Sequence, residues 1–217
     1  NRDDPRIFKI SKNIQAKKVF FGTTDELLKL MPTDDNLKYG AAIANQSVNV
    51  DVLLKKISGQ EATLRIDNKE TAVNLKLTGV YNLLNAAAAT ALARQITGPE
   101  VTDTILSALE NIKPAFGRGE TIFLNGTPIE LILVKNPSGF RLALLSFAKN
   151  SSATMIAVND NYADGRDVSW FWDVDFSALK KVAMISGVRA YDMALRLQYD
   201  EVAIEKIDTD ITQALDD

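Results

Sequence analysis

Carboxylates are the groups best placed to do chemistry in this chain, and they gather in one stretch. Residues 155–176 read MIAVNDNYADGRDVSWFWDVDF and hold five aspartates, Asp160, Asp164, Asp167, Asp173 and Asp175. Arg166 and both tryptophans of the sequence, Trp170 and Trp172, lie among them. A short apolar run, Met155 to Val158, stops at Asn159, which predicts a buried strand feeding a polar loop that contains Gly165. In open α/β sheets, ligands bind beyond the carboxyl ends of strands, on loops that a rigid scaffold positions. The plainer reading is an acidic surface loop in which Asp and Asn form turns. Two large aromatics beside solvating charges argue instead for a loop pinned onto a core or a partner.

What is missing narrows the chemistry further. The 217 residues contain no Cys and no His. Thiolate nucleophiles, Ser-His-Asp triads, Cys/His zinc sites and disulfides are therefore excluded within this sequence. Proton transfer must use Asp, Glu, Lys or Tyr, or be supplied by another polypeptide. A formal charge of −3 argues against a general nucleic-acid binder. No apolar run approaches a membrane span, no secretory leader is recognisable, and the absence of Cys fits a cytoplasmic protein.

Three further places could bind a ligand. Asn82 and Asn85 sit one turn apart near the start of an Ala-rich segment, YNLLNAAAATALARQ, where a helix presents its positive end. Alternatively Asn82 caps that helix and Asn85 faces solvent. Arg118 stands between two glycines, so a phosphate could approach it closely, or it is a solvated Arg in a turn. Lys135, Asn136 and Pro137 follow the apolar run IELILV and precede a helical pattern. Strand, short polar loop and helix start form an anion site, or an ordinary connection.

The elements that must carry these residues follow from periodicity. Strands are expected at 17–22, 48–54, 62–66 and 71–77, with a short helix at 25–31. Helices are expected at 81–95, ended by Gly98-Pro99, and at 102–111, with Ile105, Leu106 and Leu109 on one face. The stretch KPAFGRGE at 113–120 reads as a linker, which places domains at 1–113 and 114–217. Beyond it, strands at 129–134, 154–158, 182–186 and 202–207 alternate with helices at 139–148 and 190–199. Ser138 is the expected cap of the first of these helices. That alternation predicts a parallel, doubly wound sheet. Residues 1–5 read as the middle of a domain and 209–217 as an uncapped helix, so the sequence looks cut at both ends.

Several of these segments resemble the Mur ligases. GVYNLLNAAAATALA is similar to their adenine-contacting segment, roughly G-x-[YFH]-N-x-x-N-x-x-A-A, and PAFGRGE resembles the linker that leads into their C-terminal domain. VKNPSGF, NDNYADGRDVSWFWDVDF and SGVRAYDMALRL resemble the C-terminal domain of the Mur-ligase-like subunits of lipid II isoglutaminyl synthases. The resemblance is strong from Gly79 to Leu197 and weak before that, apart from NRDDP.

The resemblance implies an α/β chain: part of a Mur ligase central domain, then a Rossmann-like C-terminal domain. It implies ATP and Mg2+ as cofactors and amidation of the α-carboxyl of D-glutamate in lipid II or a UDP-linked muropeptide, at the inner membrane face. A separate GatD-like glutaminase subunit would release the ammonia, which fits a chain without His or Cys. By the same resemblance Asn82 and Asn85 match the adenine-side asparagines, and Arg118 the linker arginine that reaches phosphates. Lys135 and Asn136 match the loop that closes over the ATP cleft. An aspartate is expected to assist the partner's site or the amidation: Asp167 first, then Asp160 and Asp164. No residue is assigned to a metal.

Two departures accompany it. The phosphate-binding G-x-x-G-K-[TS] loop is not in these residues, and the resemblance would put it before Asn1, leaving this piece inactive alone. The four-cysteine ribbon common in the family has no counterpart in 34–67. Two rival functions fit the same residues: a Mur-type amino-acid ligase using a free amine, and a non-catalytic docking module for a glutaminase.

Overall fold

The computed structural model describes residues 1–30, 48–77, 79–114, 117–148, 151–161 and 166–216. The chain divides into two compact units, Asn1–Leu133 and Val134–Asp217.

The first unit is built on a mixed sheet. β1 (Phe21–Thr23) pairs in parallel with β2 (Val52–Ser58), which continues antiparallel into β3 (Glu61–Ile66) and β4 (Lys69–Asn74). Tight turns at Gly59 and at Asp67-Asn68, all at positive φ, join the antiparallel strands. The strands sit a few residues away from the sequence expectation, which began β2 at 48 and ran β4 to 77. The expected strand at 17–22 is reduced to β1.

Two short helices stand at this edge. α1 (Pro5–Ser11) starts because Asp4 accepts the N–H groups of Arg6 and Ile7 and Pro5 fills the first turn. Sequence reading gave these residues no helix. α2 (Asp25–Leu30) follows β1.

α3 (Val80–Thr97) supplies the opposing layer. Its apolar residues, Leu83, Ala86, Ala87 and Ala91, share a core with Leu54 and Leu64 of the strands and with Leu75 just past β4. Fully burying a leucine contributes about 1.5–3 kcal/mol, so these few residues carry much of the unit. α4 (Thr102–Glu110) closes the core with Leu106 and Leu109, as its expected face implies. Buried Arg94 fastens α3 at its far end: it pairs with Asp67, and its Nε donates to Thr102 Oγ1 at 2.8 Å.

The stretch expected to be a linker, and the strand expected after it, fold differently. β5 (Arg118–Leu124) and β6 (Thr127–Ile132) form an antiparallel hairpin closed by Asn125-Gly126, both at positive φ. The run at 129–134 is therefore not the first buried strand of a parallel sheet. Most of the hairpin is exposed, Phe123 at 74%. An Asn-Gly pair between apolar runs is the strongest short hairpin signal, and it overrides the buried-strand reading of IELILV. Because the hairpin closes on itself, the division falls after Leu133 and not at 113/114.

The second unit has the expected parallel arrangement. β7 (Met155–Ala157), β8 (Lys181–Ser186) and β9 (Ala203–Asp208) lie side by side, all parallel, with β8 central. α5 (Pro137–Phe147), α6 (Ala190–Tyr199) and α7 (Ile211–Asp216) complete it. Phe176, Ile185, Met193 and Leu197 are its fully buried anchors.

The cap of α5 is Asn136, not Ser138. Asn136 Oδ1 accepts the N–H of Gly139 at 2.8 Å, and Pro137 occupies the first turn. Asn136→Ala should lower the stability of the full chain by about 1 kcal/mol. Chemical denaturation checks it, and an unchanged midpoint would remove the capping role.

Candidate functional site

In the second unit the acidic loop leaves the carboxyl end of β7, where Val158 N–H donates to Ser186 O of β8 at 2.9 Å. It returns through a 3-10 turn, Ser169–Asp173, which carries both tryptophans. Trp170 packs edge-on to Phe171 and tilted against Phe140, while Trp172 meets Tyr199 edge-on with centroids 5.0 Å apart. The aromatics therefore pin the loop onto the core, the second of the two sequence readings.

Arg196 of α6 is the clamp. Its guanidinium donates to the carbonyls of Phe171 and Val174, pairs with Asp200 at 2.7 Å, and lies over the rings of Trp172 and Phe176. Arg141 of α5 adds bonds to Asp173 O at 3.1 and 2.7 Å.

This clamped turn sets Asp167. Its Oδ1 accepts the N–H of Ser169 at 2.8 Å, so it starts the 3-10 turn while staying exposed. That backbone N–H, helped by the Ser169 hydroxyl and the charge of Arg189, holds the Asp167 carboxyl below the usual range. The sign follows: any stability this bond gives is present above the ordinary carboxylate value and is lost as pH falls through the lowered one.

Asp160 approaches the same place from the β7 side. Its Oδ2 lies 3.7 Å from Arg189 Nη1, and Arg189 Nε donates to Asp192 Oδ2 at 2.8 Å. Asp164 lies outside the described residues. Asp160 thus faces Arg189 directly, and the charge of the same arginine reaches Asp167. Sequence reading sees residues 186–189 as a second strand-end, Gly-turn, helix layout but gives Arg189 and Asp192 no role.

The backbone under this cluster is tight. Gly187 has φ +88°, and a Cβ there would meet Val158 O at 2.2 Å. Arg189 N–H donates to that same oxygen at 3.1 Å. Ser186 Oγ, at the carboxyl end of β8, is fully buried and finds no hydrogen-bond partner among the described residues. Lys135 and Asn136 lie exposed at the start of the unit, where Asn136 also caps α5.

The first unit holds the other candidates. Asn82 is buried in the first turn of α3 and Asn85 is exposed one turn later. Gly79 precedes the helix at φ +90°, with no side-chain cap, so Asn82 is not the cap. A Cβ on Gly79 would meet the Tyr81 ring at 2.8 Å, so the ring lies across the helix start. Burial and the charge of Glu130 push the Tyr81 hydroxyl up, against a hydrogen bond to the Asn82 side chain and the charge of Arg118. Asn82 and exposed Arg118 are thus both gathered around Tyr81. Tyr81 and Glu130 are additions the sequence reading did not make.

Among the described residues no group of three or more His, Cys, Asp or Glu side chains could hold a metal ion. No described helix is long and apolar enough to cross a membrane.

Comparison with known proteins places this geometry. Residues 133–217 match the family model described as MurT ligase C-terminal. The MurT subunit of lipid II isoglutaminyl synthase (glutamine-hydrolyzing) from Streptococcus pneumoniae (strain ATCC BAA-255 / R6) is 31% identical over 160 residues, 71% of this chain and 35% of that one. The MurT subunit from Staphylococcus aureus (strain COL) is 31% identical over 147 residues, 65% of this chain and 33% of that one. The chain therefore spans about a third of the length of the curated relatives it matches. Among solved structures, a pseudomurein peptide ligase type C from Methanothermus fervidus aligns with TM-score 0.59 and 20% identity over 76% of this chain and 32% of that one. MurF from Acinetobacter baumannii aligns with TM-score 0.57 and 23% identity over 76% of this chain and 37% of that one. These two likenesses establish the Mur ligase fold. Fold, family model and curated relatives agree: this chain is MurT-like and corresponds to the C-terminal portion of that Mur-type subunit.

Proposed function

We propose that this chain is part of an ATP-dependent carbon-nitrogen ligase subunit that converts the D-glutamate α-carboxyl of lipid II, or of a UDP-linked muropeptide, to the amide of D-isoglutamine. A separate glutaminase subunit supplies the ammonia, and the reaction runs at the cytoplasmic face of the membrane. One observation carries the reading: the MurT C-terminal match covers the residues that build the acidic loop around Asp160 and Asp167. These 217 residues hold no Cys and no His, so the thiol chemistry of glutamine hydrolysis lies outside them, which agrees with it.

ATP, with magnesium, would supply the phosphoryl group that activates the carboxyl. The residues fit a nucleotide in part. Asn82 is held at the start of a long helix by Tyr81, with an amide suited to a purine edge. Arg118 lends a cation to the same neighbourhood. Asn85 is exposed one turn along the same helix. Magnesium is assigned no ligand in this chain. Asp167, ionised and oriented by the clamped turn, acts as the carboxylate that assists the partner's site or the amidation, with Asp160 beside it.

The test uses the full-length subunit with its glutaminase, lipid II, ATP and glutamine, and mass spectrometry of the stem peptide. Conversion of carboxyl to carboxamide only when both proteins are present is expected. Asp167→Asn should lower glutamine-dependent turnover on the order of 10²- to 10⁴-fold, the usual span of a proton-transfer group. Amidation without the companion protein, or ligation of an amino acid in place of ammonia, would overturn the reading.

A further inference from the structure

Arg189 stands between Asp192 and Asp160, and its own backbone is bolted down. Its N–H donates to Val158 O at the end of β7, and Ala190 N–H donates to Gly187 O at 3.0 Å. Gly187, at φ +88° with no room for a Cβ, lets the chain pass that close. The side chain is then braced from below: Nε donates to Asp192 Oδ2 at 2.8 Å, in the first turn of α6. Its outer edge faces Asp160 Oδ2 at 3.7 Å. The charge also reaches Asp167 across the loop, where it works in the same direction as the Ser169 N–H.

Without a cation at this point, Asp160, Asp167 and Asp192 would repel one another and spread the loop. A guanidinium suits the task better than an ammonium. Its planar fork can serve Asp192 through Nε and still present Nη1 to a second carboxylate. We propose that Arg189 is the positioning residue of the acidic loop: braced by Asp192, it holds Asp160 and Asp167 in register at the carboxyl ends of β7 and β8. It acts through those two aspartates and not on the reacting atoms. This inference rests on the reading that the aspartates assist ammonia release or amidation.

The experiment compares Arg189→Met, Arg189→Lys and Asp167→Asn in the full-length subunit assembled with its glutaminase. Thermal midpoints are recorded beside kcat and KM for glutamine-dependent amidation. Misplacing a reacting group by about an ångström costs on the order of 10²-fold, so Arg189→Met should lower kcat by about 10- to 100-fold. The KM for glutamine and the thermal midpoint should stay near the parent values, and Arg189→Lys should recover part of the loss. Parent-like kcat in Arg189→Met while Asp167→Asn collapses would overturn the role of Arg189 and leave the functional reading standing. A fall in thermal midpoint matching the fall in kcat, with no recovery in Arg189→Lys, would also overturn it. If both Arg189→Met and Asp167→Asn behave as the parent, the functional reading falls first and the inference with it.

Discussion

Replacing Arg196 with methionine should lower the unfolding free energy of the second unit by about 3 kcal/mol, the lower end of what breaking a buried ion pair costs. The expectation comes from what the guanidinium holds. It satisfies the carbonyls of Phe171 and Val174, pairs with Asp200, and fills the space between Trp172 and Phe176. Methionine replaces some of the packing and none of the donors. Asp200 would then keep only its bond from Phe176 N–H at 2.7 Å. Its side chain is 18% exposed, so water recovers part of the loss, which is why the lower end of the range applies. Chemical denaturation followed by near-ultraviolet circular dichroism checks this, because the Trp-bearing turn should loosen first. Arg196→Lys should rescue less than half: an ammonium cannot reach both carbonyls and the carboxylate together. A loss under about 1 kcal/mol in Arg196→Met, the range of an exposed pair, would show that the clamp is dispensable.

Asp3→Ala should cost the first unit about 3–5 kcal/mol, again as removal of one partner from a buried pair. Arg2 and Asp3 are 5% and 4% exposed. Asp3 accepts from Arg2 Nε and Nη2 at 3.0 and 2.8 Å, and from the N–H and hydroxyl of Thr23 at 2.6 and 3.0 Å. Arg2 Nη2 also donates to Thr23 O at 2.6 Å, so the pair fastens residues 1–4 to β1. Alanine leaves a buried guanidinium with Thr23 O as an acceptor but no carboxylate to balance its charge. Asp3→Asn, which keeps acceptor capacity without the charge, should lose less. Equal losses in the two variants would mean that charge is not what matters here. A full-length chain is the proper host for the measurement, with urea unfolding as the readout.

How much of this could be read before the structure depends on how far each partner lies along the chain. The helices α3, α4 and α6 follow from local period, and Met193, Ala194 and Leu197 face inward as their spacing requires. The parallel sheet of the second unit follows from alternating elements, and the acidic loop from an apolar run that stops at Asn159. The arginines were invisible for the opposite reason. Arg196 bonds carbonyls 25 and 22 positions away, and Arg189 meets Asp160 only because β7 and β8 are neighbours. The hairpin of β5 and β6 was legible, since Asn125-Gly126 stood in plain view. It was missed because the apolar run after it outweighed the turn. Asn136 shows a different limit: it caps the start of α5, a role that the sequence reading gave to Ser138. The charge of Arg118 reaches Tyr81 across a long stretch of chain, which local spacing cannot show.

The two indoles give this molecule a built-in optical gauge. Both lie in the turn that begins two residues after Asp167, and they differ in environment: Trp172 is 52% exposed, whereas Trp170 is half-buried against Phe140 and Phe171. With no other tryptophan in the chain, emission excited at the indole band reports on this turn alone. Anything that settles over the turn should draw the water-facing indole toward the blue while leaving its neighbour unchanged, so contact there can be followed without a dye or a label.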